Sequence, residues 1–111
     1  MHIQVINYNL KDITVEGYER TCNQLALSFA NTEGLIKKYW LKNSSENIYG
    51  GIYVWADKSY MEAFTQSELF ETVVTHPNLN NIKCTDFGVI EHPTRVTRGL
   101  IIEDYDKSKS K

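Results

Sequence analysis

The stretch Tyr49-Gly50-Gly51-Ile52-Tyr53-Val54-Trp55-Ala56-Asp57 allows few placements in a folded chain. Its β-branched and aromatic content favours an extended strand over Tyr49 to Ala56. Side chains alternate across a strand, so Tyr49, Gly51, Tyr53 and Trp55 share one face and Gly50, Ile52, Val54 and Ala56 the other. Neither set carries a charge, and a strand without a polar face needs a cover on both sides. Two adjacent glycines inside a strand cost about 0.5–1 kcal/mol each relative to alanine. Something bulky is therefore expected across the backbone: a side chain from a neighbouring strand, a helix or a ligand. The most direct occupant is Trp40, lying over Gly51.

The flanking segments supply candidates for both covers. Residues 2–9 alternate in short register and read as a first strand. From Thr14 the period changes, because Tyr18, Cys22, Leu25, Ala26 and Phe29 fall on one stripe of an amphipathic helix capped by Thr14, with Gly34 past its end. Residues 34–42 read as a second strand, and Asn43 to Asn47 as a hairpin loop into the central one. Asp57 is a cap for a helix with Tyr60, Met61 and Phe64 inward. Ser67 is a cap for a second short helix over Glu68 to Thr75, ended by His76-Pro77. Asn78 to Asn81 has loop composition. Ile82 to Glu91 reads as the fourth strand, closed by Pro93. The order is β-α-β-β-α-β, an α+β ferredoxin-like sandwich: a four-stranded antiparallel sheet with two helices on one face.

Two helices cover one sheet face only. The remaining apolar face predicts a homodimer packed sheet against sheet, with Leu100-Ile101-Ile102 helping to cover the partner. The chain of 111 residues is read as one domain over 1–98 and a tail over 99–111, whose Ser-Lys alternation from Asp104 predicts disorder. With a net charge of −2, it has no electrostatic basis for binding nucleic acid or an anionic membrane. No run of residues has the length of a membrane span, and Met1 to Val5 lacks the basic and apolar regions of a signal peptide, so a cytoplasmic protein is expected. Cys22 and Cys84 are isolated thiols without metal-ligand spacing, read as small core residues.

The run Gly34-Leu35-Ile36 with Lys38 and Trp40, then Gly50-Gly51-Ile52-Tyr53-Val54-Trp55, Asp57-Lys58-Ser59 and Ala63-Phe64, resembles the YdhR-type mono-oxygenases of the dimeric α+β barrel superfamily. The resemblance spans roughly residues 2–92. It implies a ferredoxin-like subunit, two of which close a barrel through their sheets, with a pocket between sheet and helices in each. Members include mono-oxygenases that form quinones without a cofactor, haem-degrading enzymes and isomerases. The haem-degrading members place a Trp in the second helix and a catalytic His ten residues later. Here those positions are Phe64 and Val74, with His76 two residues beyond, and only Asn7 matches their strand-one Asn. No cofactor and no metal are expected.

Tyr8, Tyr39, Trp40, Tyr53, Trp55, Tyr60 and Phe64 form a candidate wall for a small aromatic ligand, offering stacking faces and hydroxyl groups. Such a stripe equally makes an ordinary core. His76 is the candidate proton carrier, since an imidazole titrates near neutrality and a deprotonated electron-rich phenol can reduce dioxygen. The same His at a helix end also suits the helix dipole. Lys37 and Lys38 read as a solvated strand edge, or as aliphatic stems laid over the sheet. Three functions fit: a cofactor-independent mono-oxygenase for a small aromatic or polyketide-like compound, a non-catalytic binding dimer, or an isomerase or decarboxylase.

Overall fold

Thr14, Asp57 and Ser67 each start a helix by the same chemistry, accepting from a backbone N–H of the first turn. Thr14 Oγ1 takes Gly17 N–H at 3.0 Å, an Asp57 carboxylate oxygen takes Ser59 N–H at 3.3 Å, and Ser67 Oγ takes Phe70 N–H at 3.2 Å. They open α1 (Val15–Ala30), α2 (Lys58–Thr65) and α3 (Glu68–Val74). The computed structural model describes residues 1–100. The expected roles of Ile101 and Ile102 and the expected disorder from Asp104 lie outside the described residues.

The strands are β1 (His2–Leu10), β2 (Leu35–Asn43), β3 (Ile48–Trp55) and β4 (Leu79–Gly88), in the order β2-β3-β1-β4 with antiparallel pairing throughout. This is the ferredoxin-like arrangement expected from the element order. Register pairs Gln4 with Tyr53, Ile6 with Gly51 and Tyr8 with Tyr49, and on the other side Lys38 with Tyr53 and Trp40 with Gly51. These residues share the face toward α1, α2 and α3, where Ile6, Tyr49, Tyr53, Trp55, Phe29 and Phe64 form the centre of the core. On β3, Tyr53 is 2% exposed and Val54 9%, so the strand is covered on both faces as its sequence requires.

Gly50 has φ +142°, and a Cβ there would lie 1.8 Å from the Ile6 carbonyl oxygen. At Gly51 a Cβ would meet Lys38 Cε at 2.8 Å, Tyr39 O at 3.2 Å and Tyr53 Cε1 at 3.3 Å. Trp40 is the register partner of Gly51, as expected, but the stem of Lys38 fills the space above it.

The end of the chain differs from its sequence reading. The fourth strand covers Leu79–Gly88 rather than 82–91, so Asn80 and Asn81 of the expected loop lie inside it. Pairing shifts between Asn7 and Asn9, leaving Asn81 and Ile82 opposite Tyr8, with Asn81 at φ 53°. This is a bulge, and asparagine tolerates its left-handed conformation. Because the bulge resets the alternation, Leu79 and Ile82 both pack on the core. Pro93 does not merely end a ladder. It sits in the first turn of α4 (Glu91–Val96), where a proline removes no hydrogen bond because those N–H groups have no partner within the helix. Pro93 and Thr94 border an open groove with Ile3, Tyr39 and Val54, on the face away from α1.

Candidate functional site

Between α1, α3 and the sheet lies a cavity of about 40 Å³ with a mostly apolar wall that includes Tyr8, Tyr18, Cys22, Lys38, Tyr53 and His76. A benzene-sized guest needs about 150 Å³, so the cavity as it stands takes only a few small molecules. Beside it, between α1 and the edge strand β2, runs an open groove of about 320 Å³ bounded by Glu19, Ala26, Lys42 and Tyr49. Tyr18, Cys22 and Trp40 line both spaces and form the wall between them. Glu19 and Lys42 pair at 3.1 Å along the groove, where both are half-exposed.

Lys38 is the cationic side chain of the cavity. Its Nζ lies 3.4 Å from the centroid of Phe29, 3.3 Å from Trp40 and 4.6 Å from Tyr53. Neither a hydrogen bond nor an ion pair to Nζ is present among the described residues, and Nζ is not sealed from solvent, since no fully buried side-chain nitrogen or oxygen there lacks a partner. Burial without a counter-charge lowers its pKa to about 7. The ring faces attract the charged form and act in the opposite sense. An amine that loses its proton near neutrality is the arrangement a general base requires.

The tyrosines and the thiol of the wall keep their protons. The Tyr8 and Tyr18 hydroxyls share a 2.5 Å hydrogen bond. Burial pushes Tyr8 up to about 12, and it raises Tyr18 and Tyr53 further. Burial also raises the Cys22 thiol. His76 follows α3, and its Nδ1 accepts the Asn78 backbone N–H at 3.1 Å. The neutral ring therefore carries its proton on Nε2, which makes it a donor. Among the described residues, no three His, Cys, Asp or Glu side chains gather to hold a metal ion.

Of the residues singled out in the sequence, the cavity brings together Tyr8, Trp40, Tyr53 and His76. Tyr39 is on the opposite sheet face and 56% exposed. Trp55 is wholly buried, its indole N–H donating to Gln4 Oε1 at 3.1 Å, and Phe64 packs on it with ring centroids 5.2 Å apart. Tyr60 stands where a side chain at Gly34 would go, 2.0 Å from the site of its Cβ. Sequence reasoning gave Lys38 too little. Its signal was the alternation that puts it on the same face as Trp40, opposite a strand whose Gly51 leaves room for a long stem.

Lys38 also imposes a pH dependence on stability. Its folded pKa lies below that of the unfolded chain, so from about pH 7 upward the unfolded state binds more protons and stability rises with pH. Between pH 7 and 8, below most of the titration of the thiols and phenols, the urea midpoint is expected to climb, and to climb less in Lys38→Met. Equal slopes in the two proteins would show that the amine is not held unprotonated by the fold.

No helix among the described residues is long and apolar enough to cross a membrane. A search of curated proteins finds no match to the chain. Solved structures do match. A "putative antibiotic biosynthesis monooxygenase" from Deinococcus radiodurans superposes with TM-score 0.68 at 13% identity, covering 82% of this chain and 94% of its own. A variant of SnoaB, a cofactor-independent oxygenase from Streptomyces nogalater, gives 0.64 at 17%, covering 81% and 94%. The haem degrader MhuD from Mycobacterium tuberculosis, with two haems bound, gives 0.65 at 14%, covering 81% and 96%. Likeness at these identities speaks for the shared fold. The family model described as "Putative mono-oxygenase ydhR" matches residues 3–100, and the chain therefore belongs to that mono-oxygenase family.

Proposed function

We propose that this protein is a mono-oxygenase that works without a bound cofactor, on a small aromatic or polyketide-like compound held between the sheet and the helices. The observation that carries this reading is Lys38, an amine of pKa about 7 set among aromatic rings at the edge of the cavity. The ring of the compound lies in the groove against Trp40, and its acidic O–H reaches past that indole to Lys38. Loss of this proton leaves an anion that passes one electron to dioxygen. The carbon radical and superoxide then join. The ring hydrogen and the outer peroxide oxygen of this adduct leave together as hydroxide, which takes the proton held on Lys38 and departs as water, so a quinone remains with one oxygen atom of O₂ in it. His76 serves in this scheme as a donor to the developing oxygen anion through Nε2–H, and the Tyr8–Tyr18 pair stays protonated. The free thiols Cys22 and Cys84 suit a reducing, cytoplasmic setting.

The test is oxygen uptake with a panel of phenols and polyketide-like substrates, with the quinone identified by mass. Consumption of one O₂ per quinone formed supports the reading. A compound that raises the melting temperature yet never consumes oxygen favours the binding dimer instead.

The working unit is taken to be a homodimer joined through the sheet face away from α1. Tyr39 and Phe87 are half or more exposed there, and Ile90 at the head of α4 is 77% exposed. A stable interface buries about 800 Å² per partner. Sedimentation at micromolar concentration is expected to give twice the 12.8 kDa of one chain. A well-folded monomer at that concentration would count against the dimer.

A further inference from the structure

We propose that the inner cavity is a dioxygen compartment, separate from the groove that takes the organic substrate, with the Lys38 ammonium placed to stabilise superoxide as it forms. The inference rests on the mono-oxygenase reading and deepens it. Three features support it. The cavity, about 40 Å³ with a mostly apolar wall that includes Ile13, Leu25, Val73 and Leu79, suits an apolar diatomic molecule and is far too small for an aromatic ring. The groove is about eight times larger, 320 against 40 Å³, and has the room the cavity lacks. Trp40 lines both spaces and carries Lys38 Nζ 3.3 Å from its ring centroid, so the cationic group of the cavity lies against the side chain that parts the two.

The chemistry ties the two compartments together. The proton that Lys38 takes from the substrate turns the amine into an ammonium. The substrate anion then gives one electron to dioxygen, and the superoxide formed beside the ammonium is held by a charge that the previous step created. No other oxidant is needed, and the ammonium returns its proton as water departs. The Tyr8, Tyr18 and Tyr53 hydroxyls, all kept protonated by burial, add no competing negative charge.

Xenon is the probe, because small apolar cavities bind it and it undergoes no chemistry. Xenon-pressurised crystals, or xenon chemical-shift titration of the folded protein, are expected to place one atom between Leu25, Tyr53, Val73 and Leu79. Val73→Phe should remove xenon binding and raise KM for O₂ while leaving KM for the organic substrate nearly unchanged. Leu25→Phe, at a less buried position of the same wall, is the second filling variant should Val73→Phe fail to fold. The charge is tested with a substrate acidic enough to ionise below pH 7, at a pH between its pKa and 7, where no base is needed and Lys38 is still an ammonium. There Lys38→Arg is expected to keep kcat/KM for O₂, whereas Lys38→Met should lose about 10²-fold. A cavity that binds no xenon overturns the compartment, and so does a filling variant that loses xenon with KM for O₂ unmoved. If Lys38→Met matches wild type in that window, the superoxide role falls. If xenon binds but no compound consumes oxygen, it is the mono-oxygenase reading that fails, and the dioxygen role with it.

Discussion

Replacing Gly50 by alanine is expected to leave little folded protein, with a loss of at least about 3 kcal/mol. A φ of +142° is a conformation that side chains rarely adopt, and holding it costs about 1–3 kcal/mol. The added Cβ would also stand 1.8 Å from the Ile6 carbonyl oxygen and 2.9 Å from Asn7 Cα. Those are backbone atoms of β1, which is paired on both edges by β3 and β4, so it cannot retreat without breaking a ladder. For a domain of this size each kcal/mol moves the melting temperature by about 4–8 °C. Gly51→Val makes a contrast, since its nearest obstacle is the end of a flexible lysine stem, and a smaller cost of about 1–3 kcal/mol is expected. Thermal and urea unfolding of the two variants side by side is the measurement. Equal midpoints for Gly50→Ala and wild type would mean that the strand pairing at Ile6 is looser than the geometry indicates.

Lys38→Met is expected to lower kcat by about 10²–10⁴-fold on any compound the protein oxidises, while the fold is kept. Methionine preserves an unbranched stem over Gly51 and among Phe29, Trp40 and Tyr53, so the loss is confined to the amine. The pH profile carries the sign. Below about pH 7 the ammonium predominates and cannot accept a proton, so the wild-type rate should rise with pH and level off above that value. His76→Gln separates the two candidates. If His76 were the acceptor, that variant rather than Lys38→Met would lose the ascending limb. An unaltered profile in Lys38→Met would remove the lysine from the chemistry.

Much of the fold was legible in the sequence because its signals are local. The Thr14, Asp57 and Ser67 caps, the stripe of Tyr18, Cys22, Leu25 and Phe29, and the absence of a polar face on Tyr49 to Trp55 all report on the nearest turn or the nearest neighbour. The misplacements have equally local causes. Asn-rich composition reads as loop whether it makes a turn or a bulge, and only pairing with Asn7 and Asn9 decides which. Pro93 reads as a stop, although in a first helical turn it is a start. The site was the least legible part. Adjacent lysines at positions 37 and 38 look alike in sequence, but strand alternation sends one to the outer groove and the other into a nest of rings. Likewise, nothing local distinguishes Trp55, which completes the core, from Trp40, which stands between two spaces.

The pairing of Gly51 with the stem of Lys38 has a consequence for how such a protein can vary. Position 51 is a mould and position 38 the cast, so neither can change freely while the other stays. A relative with a side chain at 51 would have to displace a long residue at 38, surrendering its amine. Divergence should therefore strike the two positions together, and their joint loss would mark the branches of a family that kept this scaffold and gave up this chemistry.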